Sequence, residues 1–304
     1  MHNRSDTGRP GIGGERSGNV AGAPASARGA VRGFRRTAAR LGLAALLFVV
    51  PLVAARAEVA VLVPGYLGGP GDWRTTGITG SLERAGWRDG GDLGRRPGPT
   101  SGPAQAGMGP RTFYRLALPT EAPLGPQAQV LGGYLDLIRA RHPGEGLTLV
   151  GHSAGGVVAR LYMVQNPRSG VTTLVSIASP HLGTDTAEIG ALLGQTPLAM
   201  FAPMLGAGTL NRSQGLYRDL SRENPQSVLF WLNRQPHPPA RYVSVVRPDD
   251  SLLGDLVVPS WSQDMNQVLA LRGRSARVEV QDGHGLSAAD GRVLTEILDA
   301  RQRS

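Results

Sequence analysis

The chain of 304 residues contains no cysteine and no lysine, and aromatic residues make up 5% of it. Without cysteine it has neither a disulfide framework nor a lipid-modified cysteine. All 32 basic residues are therefore arginine, a bias that we attribute to codon usage. Acidic residues are few as well, but the net charge of +9 arises mostly in the first 57 residues. Because the rest of the chain is nearly neutral, we expect no nucleic-acid partner.

The first 57 residues have the pattern of a targeting segment. Residues 1–30 are rich in Gly, Ala and Arg without periodicity, which predicts disorder. A cluster of arginines then precedes the apolar run 41–55, which ends in the A-x-A pattern Ala55-Arg56-Ala57. This order predicts a signal peptide and hence an exported protein, periplasmic or secreted. The alternative is a membrane anchor that stays uncleaved, but the run is shorter than a bilayer requires.

Strand-like and helix-like segments alternate after residue 57 and predict an α/β fold, a mostly parallel sheet flanked by helices. We expect residues 58–304 to form one domain, with a Gly/Pro-rich loop at 89–110. The predicted strands are 58–63, 112–118, 147–150, 171–178, 241–246 and 277–281, and the predicted helices are 78–87, 126–141, 155–165 and a closing helix capped by Ser287.

Residues 184–239 are predicted to be an insertion between two strands. The segment contains several Leu and Met residues together with Phe201, and prolines interrupt it. These apolar residues could belong to ordinary core helices. The alternative is a cap over the site, in which Met200 and Phe201 would bind the acyl part of a substrate.

The stretch 147–158 (LTLVGHSAGGVV) runs from a buried strand through G-x-S-x-G into a helix. Glycines in this pattern allow a sharp turn that exposes the Ser153 hydroxyl and directs backbone N–H groups at a developing oxyanion. The oxyanion hole is then predicted to use the N–H of Ala154 and the N–H of Tyr66 in the loop after the first strand.

A serine nucleophile needs a base and an orienting carboxylate, which follow it along the chain in the order Ser, Asp, His. His284 lies between two glycines just past the last strand, and we favour it as the base. His181 is instead expected in a turn or pocket wall and His237 in a surface loop. Among the acids after strand 241–246, Asp255 opens an apolar run that ends in a proline. We favour it as the acid; the alternatives are Asp249 and Asp250.

These segments together resemble the lipases and esterases of the α/β-hydrolase superfamily. Residues 61–68 (VLVPGYLG) are similar to the family's oxyanion segment, although Pro64 stands where a histidine is usual. Residues 151–162 resemble its nucleophile elbow and helix, and residues 176–184 the segment that follows in bacterial triacylglycerol lipases. The resemblance covers residues 58–304 and implies the α/β-hydrolase fold.

The resemblance also implies ester hydrolysis through an acyl-enzyme. We expect no cofactor and assign no metal site. The leading hypothesis is an exported serine hydrolase that cleaves carboxylic esters of lipids or similar apolar acyl groups. Transient contact with a lipid surface is compatible with such a substrate. Two alternatives are an acyltransferase that uses the same acyl-enzyme and a hydrolase-like envelope protein that binds without catalysis. The presence of Ser153, Asp255 and His284 argues against the last of these.

Overall fold

The computed structural model describes residues 58–94, 110–184, 212–222, 224–249 and 255–300. Several predictions lie outside these residues: the disordered N-terminus and signal peptide (1–57), the part of the predicted cap that contains Met200 and Phe201, and the alternative acid Asp250. Among the described residues, every helix is too short or too polar to cross a bilayer.

Seven parallel strands form one sheet in the order β2-β3-β1-β4-β5-β6-β7. The predicted α/β class is confirmed. The strands are β1 Glu58–Val63, β2 Arg88–Leu93, β3 Arg111–Leu116, β4 Gly146–His152, β5 Val171–Ile177, β6 Arg241–Val246 and β7 Ser275–Glu279.

Helices cover both faces of the sheet. They are α1 Pro70–Thr75, α2 Ile78–Arg84, α3 Leu124–Arg141, α4 Ala154–Gln165, α5 at residues 212–220, α6 Val228–Leu232, α7 Ser260–Gln263 and α8 Ala288–Ala300. Helices α3 and α4 pack on one face with Val59, Val61 and Val63 of β1. The other face carries α1, α2 and α8 against Ala60 and Leu62. Because β1 is apolar on both faces, it is buried throughout, as expected for a central parallel strand.

The prediction of a loop over residues 89–110 was wrong at its beginning. Arg88–Leu93 pairs with β3 as the edge strand. Its sequence, RDGGDL, has the composition of a turn, but Arg115 on β3 is buried and binds Asp89 at 2.8 Å and Asp92 at 2.7 Å. These ion pairs hold a strand that apolar patterning does not predict.

The carboxyl ends of the parallel strands meet at one edge of the sheet. Strand β1 runs beside β4, with Val63 opposite Gly151, so that the loops that follow these strands are neighbours. At this position the chain order reverses, because β3 lies on one side of β1 and β4 on the other. Open α/β sheets bind their ligands in the crevice at such a point.

Candidate active site

Ser153 lies at the turn between β4 and α4. Its backbone has φ 50° and ψ −129°, a conformation that is rare for a residue with a side chain. The N–H of Ser153 donates to the carbonyl of Ile177 on β5 at 2.8 Å, which holds the turn against the sheet. The G-x-S-x-G pattern therefore forms a sharp strand-to-helix turn with the serine at its apex.

Two glycines of the motif allow this turn to pack closely. A Cβ atom on Gly151 would lie 2.4 Å from the Cα of Gly156, across the turn. A Cβ atom on Gly155 would lie 2.4 Å from the carbonyl oxygen of Pro64, in the loop after β1. Both contacts are with backbone, which has little room to move, so any larger residue would separate the nucleophile turn from the neighbouring loop.

The structure brings His284 to Ser153. The imidazole Nε2 lies 2.9 Å from the Ser153 Oγ, and both side chains are buried. His284 belongs to the loop between β7 and α8, at the same edge of the sheet as the nucleophile turn. This contact places a base within reach of the serine proton.

Asp255 lies on the other side of the imidazole. Its Oδ2 is 2.6 Å from His284 Nδ1, and its Oδ1 accepts from the backbone N–H groups of Val257 at 2.8 Å and Val258 at 2.9 Å. The carboxylate is fully buried. These backbone hydrogen bonds hold the carboxylate in place, and a fixed carboxylate in turn orients the imidazole.

Sequence analysis missed one contact of this carboxylate. The amide Nε2 of Gln263, on α7, donates to Asp255 Oδ2 at 3.1 Å and to the carbonyl of Val258 at 2.6 Å. The Gln263 Oε1 accepts from the backbone N–H of Arg247 at 2.8 Å. The only signal in the sequence was its position in a segment that closely follows Asp255.

The other candidate acid and bases lie elsewhere. Asp249 is exposed and accepts from the N–H of Ser260 at 2.9 Å. His181 is buried, and its Nε2 lies 2.8 Å from the Oγ of Ser176. The prediction that His237 lies in a surface loop was wrong, because the residue is buried, with 7% of its surface exposed. Desolvation lowers the pKa of His237 to about 4 and that of His181 well below its ordinary value.

The loop after β1 packs directly on the nucleophile. A Cβ atom on Gly65 would lie 2.8 Å from the Cβ of Ser153, so the backbone that leads into Tyr66 borders the serine. Ala154 is the first residue of α4 and has no intrahelical acceptor for its N–H. Both predicted oxyanion donors, Tyr66 and Ala154, therefore belong to segments that adjoin Ser153. The Tyr66 hydroxyl lies 2.6 Å from that of Tyr217 on α5 and connects this loop to the insertion.

His152 also lies beside the base. Its Nε2 is 2.9 Å from the backbone carbonyl of His284, and the two rings are 5.5 Å apart. Desolvation lowers the pKa of His152 to about 3, and repulsion by His284 adds to the shift. Since a carbonyl oxygen only accepts, the neutral His152 ring donates from Nε2.

Within the described residues, no group of three or more His, Asp or Glu side chains has the arrangement of a metal site. Asp290, near the base, is bound by Arg247, with both carboxylate oxygens at 2.8 Å from guanidinium nitrogens. The chemistry that this arrangement supports is nucleophilic attack by a serine that is activated by an imidazole–carboxylate pair.

Comparison with known proteins identifies chains of similar fold. The model of one family, the PGAP1-like alpha/beta domain, matches residues 130–191, which include the nucleophile turn. No curated protein matches the sequence. Among solved structures, the mature lipase BlEst2 of Bacillus licheniformis is 14% identical, with a TM-score of 0.52 over 82% of this chain and 93% of that chain. Its propeptide form, also 14% identical, gives a TM-score of 0.54 over 82% of this chain and 50% of that chain.

The chain has the α/β-hydrolase fold. In this fold it is similar to the lipases and esterases of that superfamily. In this fold, the predicted nucleophile Ser153 follows β4, the predicted acid Asp255 follows β6 and the predicted base His284 follows β7. The order Ser, Asp, His along the chain is that of α/β hydrolases in general.

Proposed function

We propose that this α/β hydrolase is a carboxylic-ester hydrolase that acts through a Ser153–His284–Asp255 triad and an acyl-enzyme. One observation carries the proposal: the Ser153 hydroxyl, the His284 imidazole and the Asp255 carboxylate form one continuous hydrogen-bonded chain, with contacts of 2.9 and 2.6 Å. All three groups are buried at the carboxyl edge of the sheet, where the low dielectric strengthens each interaction.

In the acylation half-reaction, the Ser153 Oγ attacks the ester carbonyl carbon while His284 Nε2 takes the hydroxyl proton. Asp255 stabilises the imidazolium that results. The negative charge that develops on the carbonyl oxygen accepts hydrogen bonds from the N–H groups of Tyr66 and Ala154. When the tetrahedral intermediate collapses, the ester C–O bond breaks, His284 protonates the leaving alcohol, and the acyl group stays on Ser153.

Deacylation repeats these steps with water as the nucleophile. His284 takes a proton from the water molecule, whose oxygen attacks the acyl carbon. The bond to Ser153 then breaks, the serine regains the proton from His284, and the carboxylic acid leaves. No cofactor is needed, because each proton that His284 accepts is returned in the same half-reaction.

We further propose that the substrates are acyl or lipid esters and that the protein is exported. The apolar composition around Met200 and Phe201 supports an acyl-binding role for the insertion, and Tyr66 connects the described part of the insertion to the oxyanion loop. The export proposal rests on the signal-peptide pattern of the first 57 residues. Cell fractionation with an antibody against the chain tests it: a product that is found only in the cytoplasm would contradict export.

The test of the mechanism combines labelling with turnover. Wild-type protein should react covalently with a fluorophosphonate and hydrolyse nitrophenyl esters, whereas Ser153→Ala should take no label and lose about six orders of magnitude in kcat. Ser260→Ala is the matched control, because the Ser260 hydroxyl bonds Asp249 away from the triad. More than a few per cent of activity in Ser153→Ala, or no label on the wild type, would refute the mechanism.

A further inference from the structure

The loop that carries His284 is held by a buried arginine. Arg247 follows β6 and is fully buried. Its Nε donates to the carbonyl of Gly283 at 2.9 Å and its Nη2 to the carbonyl of Gly285 at 3.2 Å. The same guanidinium forms a two-pronged pair with Asp290, with both contacts at 2.8 Å. The arginine therefore contacts the backbone on both sides of the proposed base.

A third donor completes this arrangement. The carbonyl of His284 itself accepts from His152 Nε2 at 2.9 Å. The three successive carbonyls of residues 283–285 thus each accept a hydrogen bond from a side chain of another segment. Fixing three peptide planes in a row fixes the backbone from which the imidazole projects. Arg247 supplies two of these three bonds.

The far end of the loop is held by the partner of the arginine. Asp290 Oδ2 accepts from the N–H of Ser287 at 2.9 Å, where α8 begins. Arg247 also reaches the acid: its backbone N–H donates to Gln263, whose amide contacts Asp255 at 3.1 Å. Arg247 is therefore connected by hydrogen bonds to both segments, the one that carries the base and the one that carries the acid.

A role in stability alone does not explain this geometry. Buried ion pairs can often be replaced by uncharged residues without loss of stability, so a pair of charges is not required to fill this space. The guanidinium has a planar set of five N–H donors, which allows it to contact a carboxylate and two carbonyls at once. A lysine ammonium could pair with Asp290, but it lacks the rigid, planar set of donors that contacts the carboxylate and both carbonyls at once.

We propose that Arg247 and Asp290 are positioning residues that fix the His284 imidazole relative to Ser153 by clamping the carbonyls of Gly283 and Gly285. The inference rests on the proposed ester hydrolase function. The pair touches neither substrate nor reacting atoms and acts through the base. Removing it should therefore slow the chemical steps without weakening substrate binding.

The test is the neutral double variant Arg247→Met/Asp290→Asn, in which Asn keeps an acceptor for the Ser287 N–H. The matched control is Arg115→Met/Asp92→Asn, which removes a buried arginine and one of its two carboxylate partners near the opposite edge of the sheet. We expect kcat to fall about 100-fold in the first variant, with KM unchanged within threefold, because a displacement of about 1 Å costs this much. The control should keep kcat within threefold of the wild type.

Two further measurements separate positioning from folding. The rate of fluorophosphonate labelling at Ser153 should fall in parallel with kcat, and amide hydrogen exchange should speed up in the peptide that contains residues 281–287. Arg247→Lys keeps the buried charge pair, so it should fold even if the double variant does not. It should show the same pattern with a loss of at least tenfold in kcat.

Each result decides the proposal. A folded double variant with kcat within threefold of the wild type overturns it, as does an equal loss in the Arg115/Asp92 control. If the double variant does not fold, a normal kcat in Arg247→Lys overturns it. If instead the wild type takes no label and hydrolyses no ester, the proposed function fails. Hydrogen exchange then still tests the clamp, and unchanged exchange in residues 281–287 overturns it.

Discussion

Asp255→Asn tests the orientation of the base with a change of one atom. In the wild type, Oδ1 accepts from the N–H groups of Val257 and Val258, at 2.8 and 2.9 Å. An asparagine at this position must keep its carbonyl oxygen on these two donors. Its NH2 group then occupies the place of Oδ2 and faces His284 Nδ1, a contact of 2.6 Å in the wild type.

This change reverses the direction of the hydrogen bond to the imidazole. Because an NH2 group only donates, His284 Nδ1 must accept, and the ring proton moves to Nε2. Nε2 then directs a proton at the Ser153 Oγ and no longer has a lone pair for the serine proton. In a serine protease the same substitution lowers kcat about 10⁴-fold. We expect a similar loss here, equivalent to about 5 kcal/mol in the activation barrier.

The asparagine amide has little freedom to escape this geometry. Gln263 donates its Nε2 to Asp255 Oδ2, and after the substitution two NH2 groups would face each other. Gln263 does not flip freely, because its Oε1 accepts from the N–H of Arg247 at 2.8 Å. One buried donor is left without an acceptor, so the variant should also lose about 1–3 kcal/mol of stability.

The assay is steady-state hydrolysis of a nitrophenyl ester by Asp255→Asn and, as the control, by Asp249→Asn. Asp249 is exposed and bonds Ser260 rather than the imidazole, so its variant should lose less than tenfold in kcat. For Asp255→Asn we expect the loss in kcat with KM unchanged, at a temperature where both variants are folded. A kcat within tenfold of the wild type in Asp255→Asn, or a larger loss in Asp249→Asn, would refute the tautomer argument.

The remaining predictions concern strain, pH and substrate. Ser153→Gly should be about 1 kcal/mol more stable to urea than Ser153→Ala, because glycine adopts φ 50° without strain and strain of this kind costs about 1–3 kcal/mol; the opposite order would contradict this. Burial depresses the folded-state pKa of His152 to about 3 and that of His237 to about 4, and it lowers that of His181. The stability that each neutral histidine contributes should therefore be fully present above pH 6.5 and fall below it by about 1.4 kcal/mol per pH unit. Urea unfolding from pH 7 to 4.5 measures this, and His237→Gln should reduce the slope. Met200→Ser/Phe201→Ser should impair long-chain nitrophenyl esters far more than acetate esters, since each buried CH₂ contributes about 0.8 kcal/mol; an equal loss would place the acyl pocket elsewhere.

Local patterning predicted the strands that are buried on both faces. Residues 58–63 and 147–150 are nearly continuous runs of apolar residues, and both belong to central strands, β1 and β4. The edge strand β2 escaped prediction because long-range ion pairs to Arg115 stabilise it, rather than an apolar face. His237 was misplaced for a similar reason: prolines on both sides suggested a surface loop, but its ring packs near Tyr242.

Residues with a local signal in the candidate site were easier to find than those without one. Ser153 is marked by its glycines and by the strand and helix around it, and His284 by its position after the last strand. Arg247 carries no such mark, because the carbonyl that it contacts at Gly283 is 36 residues away along the chain. Gln263 likewise depends on how α7 folds back on the loop of Asp255.

The glycines beside the base explain why such remote donors are present. Gly283 and Gly285 leave the chain around His284 with more conformational freedom than other residues would, and ordering that backbone costs free energy. A chain without cysteine has no disulfide to restrict the loop. Arg247 instead contacts both glycine carbonyls from one rigid guanidinium that Asp290 fixes in place. These contacts order the loop in the folded protein despite the conformational freedom of its two glycines.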